Sequence, residues 1–394
     1  MPVGYLITVG LFAVGTLLAL APLRRSRRLG TYSWILSAVV NESPFVGLYW
    51  VLAATLLAFM QGDLDSPVAW GAFGLGCLSF AATPVLMRRA LCADAVVRDA
   101  LDEGLGPGWR DTVDATATTG RRQGLPWGRI LLAPVPLSRR GVRRSANLSY
   151  GPHGRRNRLD VYRGRGQSAD APLLIHLHGG GFRTGRKSFY SRPLLHELSR
   201  QGWVCLSANY RLRPNAEFSD FMVDVKRVIA WARVHALEYE ADPTCIVLAG
   251  SSAGAHLAVT AALTANDPDF QPGFEDADTS VAAAVGMYGY YGRIEPGPHR
   301  SSPAEYAHRD APPLMIVHGE QDTFVPPGHT RQEIARIQAV SAKPVVYAEL
   351  PGAQHSFDLF HSVRFEMLVN GLSDFAAWAR SSARATAPAS SQMQ

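Results

Sequence analysis

Cysteine is scarce in this chain and does not cluster. The 394 residues include four, Cys77, Cys92, Cys205 and Cys245. None forms a C-x-x-C pair and no histidine group stands beside them, so nothing in their spacing suggests a disulfide framework or a zinc site. Cys205 and Cys245 fall in apolar runs, where a free thiol acts as a small hydrophobe. Charge is missing over long stretches. No charged residue occurs from Met1 to Leu23, from Ser43 to Gly62 or from Ser66 to Met87, and each stretch is long enough for a helix to cross a hydrocarbon core. Acidic residues are missing elsewhere: Arg121 to Arg165 holds twelve arginines against one carboxylate, Asp160. The net charge of +6 is therefore local rather than spread over the surface.

These gaps divide the chain. Residues 1–89 read as a transmembrane region with helices at about 3–23, 44–62 and 67–87. The first lacks a basic leader, which favours a span over a cleaved signal peptide. The second is less regular, because Asn41-Glu42-Ser43-Pro44 interrupts an apolar pattern that starts at Tyr32. Arg24-Arg25-Ser26-Arg27-Arg28 and Arg88-Arg89 would lie on one side of a three-pass bundle, and the loop from Gln61 to Ser66, with two aspartates, on the other. The positive-inside rule then places residues 88 onward in the cytoplasm. Residues 90–146 read as a basic linker or cap, with a short helix at Asp94–Leu105 stopped by Gly106-Pro107-Gly108. Prolines 126, 134 and 136 rule out one long helix there. Beside membrane segments, the arginine block fits an anionic membrane surface better than nucleic acid; a solvated linker is the plain alternative.

From about Asn147 the pattern changes. Short apolar runs at 159–162, 172–178, 203–207, 244–249, 281–286, 313–318 and 345–350 alternate with helical stretches at 194–201, 221–236, 252–264 and 360–379. This alternation predicts an α/β domain, residues 147–380, with a mostly parallel sheet and helices on both faces. Residues 381–394 read as a disordered tail. In such sheets ligands sit beyond the carboxyl ends of the strands.

The chemistry-bearing motifs fall at those ends. Gly250-Ser251-Ser252-Ala253-Gly254 follows the strand ending at Ala249 and matches G-x-S-x-G. This pattern lifts a serine on a sharp strand-to-helix turn. Upstream, His178-Gly179-Gly180-Gly181-Phe182 follows a buried strand. Its glycines offer bare N–H groups to a developing oxyanion, so Gly180 and Gly181, with Ala253, are the expected oxyanion hole. Downstream, His318-Gly319-Glu320-Gln321-Asp322 and Pro351-Gly352-Ala353-Gln354-His355 follow two later strands. Glu320 is a rival to Asp322 for the acid. His355 completes the order Ser…Asp…His, whereas His308, His329 and His361 do not.

Taken together, His178-Gly179-Gly180-Gly181, Gly250–Gly254, Asp322 in H-G-x-x-D and His355 resemble the hormone-sensitive-lipase-like branch of the α/β-hydrolases. Asn209-Tyr210-Arg211-Leu212-Arg213-Pro214 resembles that branch's tyrosine–arginine segment. The likeness spans about 147–379, and the hydrophobic N-terminus resembles actinobacterial membrane-tethered esterases of the branch. It implies an α/β-hydrolase fold, hydrolysis of a small-molecule or lipid carboxylic ester by Ser252, Asp322 and His355, and no metal or other cofactor. It also favours Asp322 over Glu320. Two positions depart from the branch: Ser251, where it usually has aspartate, and Ala255, often glycine. Phe182 and Tyr288 are candidate substrate contacts. An amidase, or a methylesterase acting on lipidated substrates, would use the same triad. A non-catalytic binding module would typically have lost the serine or histidine.

Overall fold

The computed structural model describes residues 3–114, 124–135, 141–165, 170–296 and 300–386. Arg121, Arg122, Arg139 and Arg140 of the arginine block, Pro136, and the expected tail beyond 386 lie outside the described residues. The N-terminal part consists of helices α1 (Val3–Leu20), α2 (Arg27–Glu42), α3 (Pro44–Met60) and α4 (Pro67–Leu105). Helix α1 and the apolar part of α4 are long and apolar enough to cross a membrane. Helices α2 and α3 pass the same test as a pair, bent by 86° at Ser43. Their large apolar side chains point outward: Trp50 is 70% exposed, Phe59 70% and Met60 75%. In water each would forgo roughly 1.5–3 kcal/mol of burial. Arg89 donates to the carbonyls of Ala19 and Leu20 at 3.4 and 3.3 Å. It thereby caps the carboxyl end of α1 and brings both arginine clusters to one end of the bundle.

Two expectations are corrected here. Residues 94–105 are not a separate short helix in a linker. They continue α4, which runs unbroken for 39 residues past Pro84. Ala93, Val97 and Leu101 enter the hydrolase core, because the apolar face of α4 meets β8 and α10, described below. The catalytic sheet also starts earlier than Asn147. Strand β1 (Val142–Ser149) lies inside the arginine block, where its mostly exposed or half-buried side chains hid it. Between α4 and β1 lies a one-and-a-half-turn helix, α5 (Trp127–Leu132).

The strands that follow are β2 (Arg158–Gly164), β3 (Ala171–Leu177), β4 (Val204–Ala208), β5 (Ala241–Ser251), β6 (Ala283–Met287), β7 (Leu314–Gly319) and β8 (Val345–Leu350). They form one eight-stranded sheet in the order β1-β2-β4-β3-β5-β6-β7-β8. The β1–β2 and β2–β4 pairings are antiparallel and the rest are parallel. Helices α6 (Arg192–Arg200), α7 (Phe218–His235), α8 (Ala253–Leu263), α9 (Pro327–Gln338) and α10 (Val363–Thr386) complete the domain. Alternation within β5 explains the two layers: Ile246 and Leu248 face α7 and α8, whereas Val247 and Ala249 face α6 and α10. Helix α10 extends to Thr386, beyond the expected boundary at 380.

Polar contacts weld the two parts together. Glu42, at the end of α2, pairs with the fully buried Arg364 of α10 and accepts from Ser362 Oγ at 3.0 Å. Asn41 Nδ2 donates to Gly352 O at 3.0 Å. Removing one partner of a buried ion pair strands the other without compensation. Glu42→Ala is therefore expected to cost about 3–5 kcal/mol. A clear fall in the thermal midpoint of the detergent-solubilised chain is the check.

Candidate active site

The nucleophile turn is built by backbone contacts. Strand β5 ends at Ser251 and α8 begins at Ala253, which leaves Ser252 at φ 54° and ψ −116°. A non-glycine residue held there carries about 1–3 kcal/mol of strain, so its surroundings must enforce it. Ser252 N donates to Met287 O at 2.9 Å, and Ser252 O accepts from Ala255 N at 3.0 Å. A Cβ on Gly250 would lie 2.1 Å from Gly254 O, and one on Gly254 would lie 2.1 Å from Leu177 O. Both flanking glycines are thus dictated by close backbone approach.

The downstream motifs converge on this serine. Asp322 follows β7 and His355 follows β8. Asp322 Oδ1 accepts from the N–H groups of Phe324 and Val325 at 2.9 and 2.7 Å, which locks the carboxylate. Its Oδ2 lies 2.7 Å from His355 Nδ1. A carboxylate only accepts, so Nδ1 carries the proton and Nε2 is left as an acceptor. The Ser252 hydroxyl lies 3.0 Å from that Nε2. The rival Glu320 is exposed and accepts from Gly352 N at 2.8 Å instead. His361 is engaged with Glu366, and His329 packs on Tyr290. His318, whose pKa is lowered by burial, hydrogen-bonds Val325 O at 2.9 Å and braces the loop that carries Asp322.

The glycine loop lies beside the turn. A Cβ on Gly179 would fall 3.1 Å from Ser252 Cβ. Gly180 and Gly181 both adopt positive φ, 126° and 60°. Among the described residues, no acceptor takes the N–H of Gly180, Gly181 or Ala253. Tyr210 OH donates to His178 O at 2.8 Å and its ring stacks on His178, giving the Asn209–Pro214 segment a role in holding this loop. Phe182 and Tyr288, expected to touch substrate, are occupied by protein. The Phe182 ring stacks on Phe221 and meets His256 edge-on. Tyr288 has no exposed surface.

Two arrangements escaped the motif reading. Trp34, Tyr288 and Phe324 box the His355 ring, with centroid distances of 5.1, 4.7 and 5.0 Å. Behind the serine lies a second polar cluster. Asp358 accepts from Ser191, from Tyr288 and, at 3.1 Å, from Ser251 Oγ. His176 Nε2 lies 3.1 Å from Ser251 Oγ. The only signals in the sequence were Ser251 in place of aspartate and an acid three residues after His355. This cluster does not form a triad. His176 is bonded to no carboxylate, burial pushes its pKa down to about 3, and Ser251 has no exposure where Ser252 keeps 8%. Burial also raises the Asp358 pKa.

Comparison with known proteins agrees with this architecture. "Probable carboxylic ester hydrolase LipM" of Mycobacterium tuberculosis is 36% identical over 92% of this chain and 90% of its own length. The chain belongs to the carboxylic ester hydrolases of the α/β-hydrolase fold. A second relative of this esterase, "Esterase LipQ" of the same organism, is 38% identical over 72% of this chain and 74% of its own. The BD-FAE family matches residues 159–294. A solved carbohydrate esterase from gut microbiota, 19% identical, superposes with a TM-score of 0.53 over 60% of this chain and 96% of its own, and so shares the fold.

In this esterase Tyr288→Phe keeps the ring against His355 but removes a donor from buried Asp358. The expected cost is about 1–3 kcal/mol of stability, read by thermal denaturation. An unchanged midpoint would show that the carboxylate does not depend on that hydroxyl.

Proposed function

We propose that the protein is a membrane-anchored serine esterase that cleaves carboxylic esters through an acyl-enzyme on Ser252. The observation that carries this reading is the continuous line from Asp322 through His355 to a strained serine that keeps 8% exposure. Ser252 Oγ attacks the ester carbon while His355 Nε2 takes its proton. Asp322 keeps the imidazole in the accepting tautomer and stabilises the imidazolium. The oxyanion forms against the N–H groups of Gly180, Gly181 and Ala253, each worth about 10²–10³ in rate where such donors have been removed. The alkoxide leaves with the proton held by His355. Water, deprotonated by the same nitrogen, then releases the acid and restores the serine hydroxyl.

Purified protein should hydrolyse p-nitrophenyl acyl esters and take a fluorophosphonate on Ser252. Ser252→Ala should abolish both, and Asp322→Asn should lower kcat by roughly 10⁴. Full activity in Ser252→Ala would end this assignment.

The substrate class is a small-molecule or lipid ester presented at a cell membrane. We place α1, α3 and the first half of α4 across the bilayer, with the hydrolase on the cytoplasmic side. The outward apolar side chains, and arginines gathered at one end of the bundle, support this placement. A reporter enzyme active only outside the cytoplasm, fused after Gln394, should be silent; strong reporter activity would reverse the topology.

A further inference from the structure

Helix α2 has its polarity reversed relative to a water-facing helix. Its buried side carries Gly30, Ser33, Ser37 and Asn41, with Val40 and Glu42 near its carboxyl end. Its exposed side carries Tyr32, Ile35, Leu36 and Val39. Such a helix leaves apolar area uncovered unless something other than water lies against it. It leads out of α1 and bends into α3, both apolar outward, and Arg24, Arg25, Arg27 and Arg28 stand at its amino end. That combination suits the boundary between acyl chains and anionic headgroups.

The inner side of α2 rests on the catalytic loops. Gly30 lets the backbones meet: a Cβ there would lie 2.5 Å from Thr323 O. Thr323, next to Asp322, donates its hydroxyl to Gly30 O at 2.7 Å. One turn along, Trp34 Nε1 donates to the backbone carbonyl of His355 at 2.7 Å, and its ring meets the imidazole edge-on. Trp34 also packs on Phe324. A residue of the apolar bundle thus grips the peptide that carries the general base.

We propose that α2 is a membrane-surface helix built into the active site, and that Trp34 is the positioning residue through which a lipid surface holds His355 in line. The inference rests on the assignment of His355 as the base. Misplacing a catalytic group by about 1 Å can cost 10²-fold in rate while leaving substrate binding unchanged. Loss of Trp34 should therefore appear in kcat rather than in KM.

The test uses the full chain in lipid nanodiscs, with p-nitrophenyl butyrate kinetics and the rate of fluorophosphonate labelling of Ser252. Trp34→Ala is expected to lower kcat and labelling roughly 10- to 100-fold with KM nearly unchanged. Trp34→Phe, which keeps a ring but loses the donor, should fall between the two, and it decides the matter if the alanine variant does not fold. The exposed pair Tyr32→Ser/Ile35→Ser should lower kcat about threefold or more, if α2 is seated in lipid as the positioning argument requires. A wild-type kcat in folded Trp34→Ala, or a rise in KM alone, would overturn the positioning role. A wild-type kcat in the Tyr32/Ile35 pair would overturn the lipid contact. Failure of the wild-type chain to label would instead sink the Ser252 assignment.

Discussion

The bond between His355 Nδ1 and Asp322 is the contact on which the site depends. It determines which imidazole nitrogen faces Ser252, and it works only because both partners are withdrawn from water. Asp322 cannot turn away, since the N–H groups two and three residues further on hold its other oxygen. The parallel sheet supplies the rest of the geometry. Strands β5, β7 and β8 end on the same side, so residues separated by about a hundred positions in the chain meet within hydrogen-bond reach. The strained serine adds a second constraint, carried by Met287 O on the neighbouring strand.

The parts of the site that sequence revealed are those where chemistry leaves few options. Gly250 and Gly254 have no room for a side chain, and a serine, an acid and a histidine in that chain order, each just past a strand, can be recognised by order alone. The inner strands were equally plain, because burial on both faces makes them continuously apolar. Strand β1 was missed because it is an exposed edge rich in arginine. Helix α2 was obscured because its buried face is made mostly of small and polar residues, with Val40 the apolar exception, so the usual link between apolar character and burial is largely inverted. Asp358 gave almost no signal: its role depends on Ser191, Ser251 and Tyr288, three distant positions brought together only by the fold. The Phe182 and Tyr288 side chains pack against protein, Phe182 on Phe221 and His256 and Tyr288 on His355 and Phe357.

The division between an apolar bundle and a hydrolase is less sharp than composition suggests. Helix α4 belongs to both, since its first half presents apolar side chains outward and its second half packs against α10 and β8. The Glu42–Arg364 pair and the Asn41 contact close a second connection through α2. The loops after β7 and β8, which carry Asp322 and His355, are therefore sandwiched between the sheet and the bundle.

At 1.5 Å of rise per residue, the 39 residues of α4 form a shaft about 58 Å long. An enzyme on a flexible leash samples a hemisphere of solution and can meet dissolved substrate at any orientation. A catalytic domain fixed to such a shaft has no comparable reach. Its mouth keeps a constant height and tilt relative to the bundle. On the proposed membrane placement, selectivity would come partly from geography, favouring esters that partition to this depth.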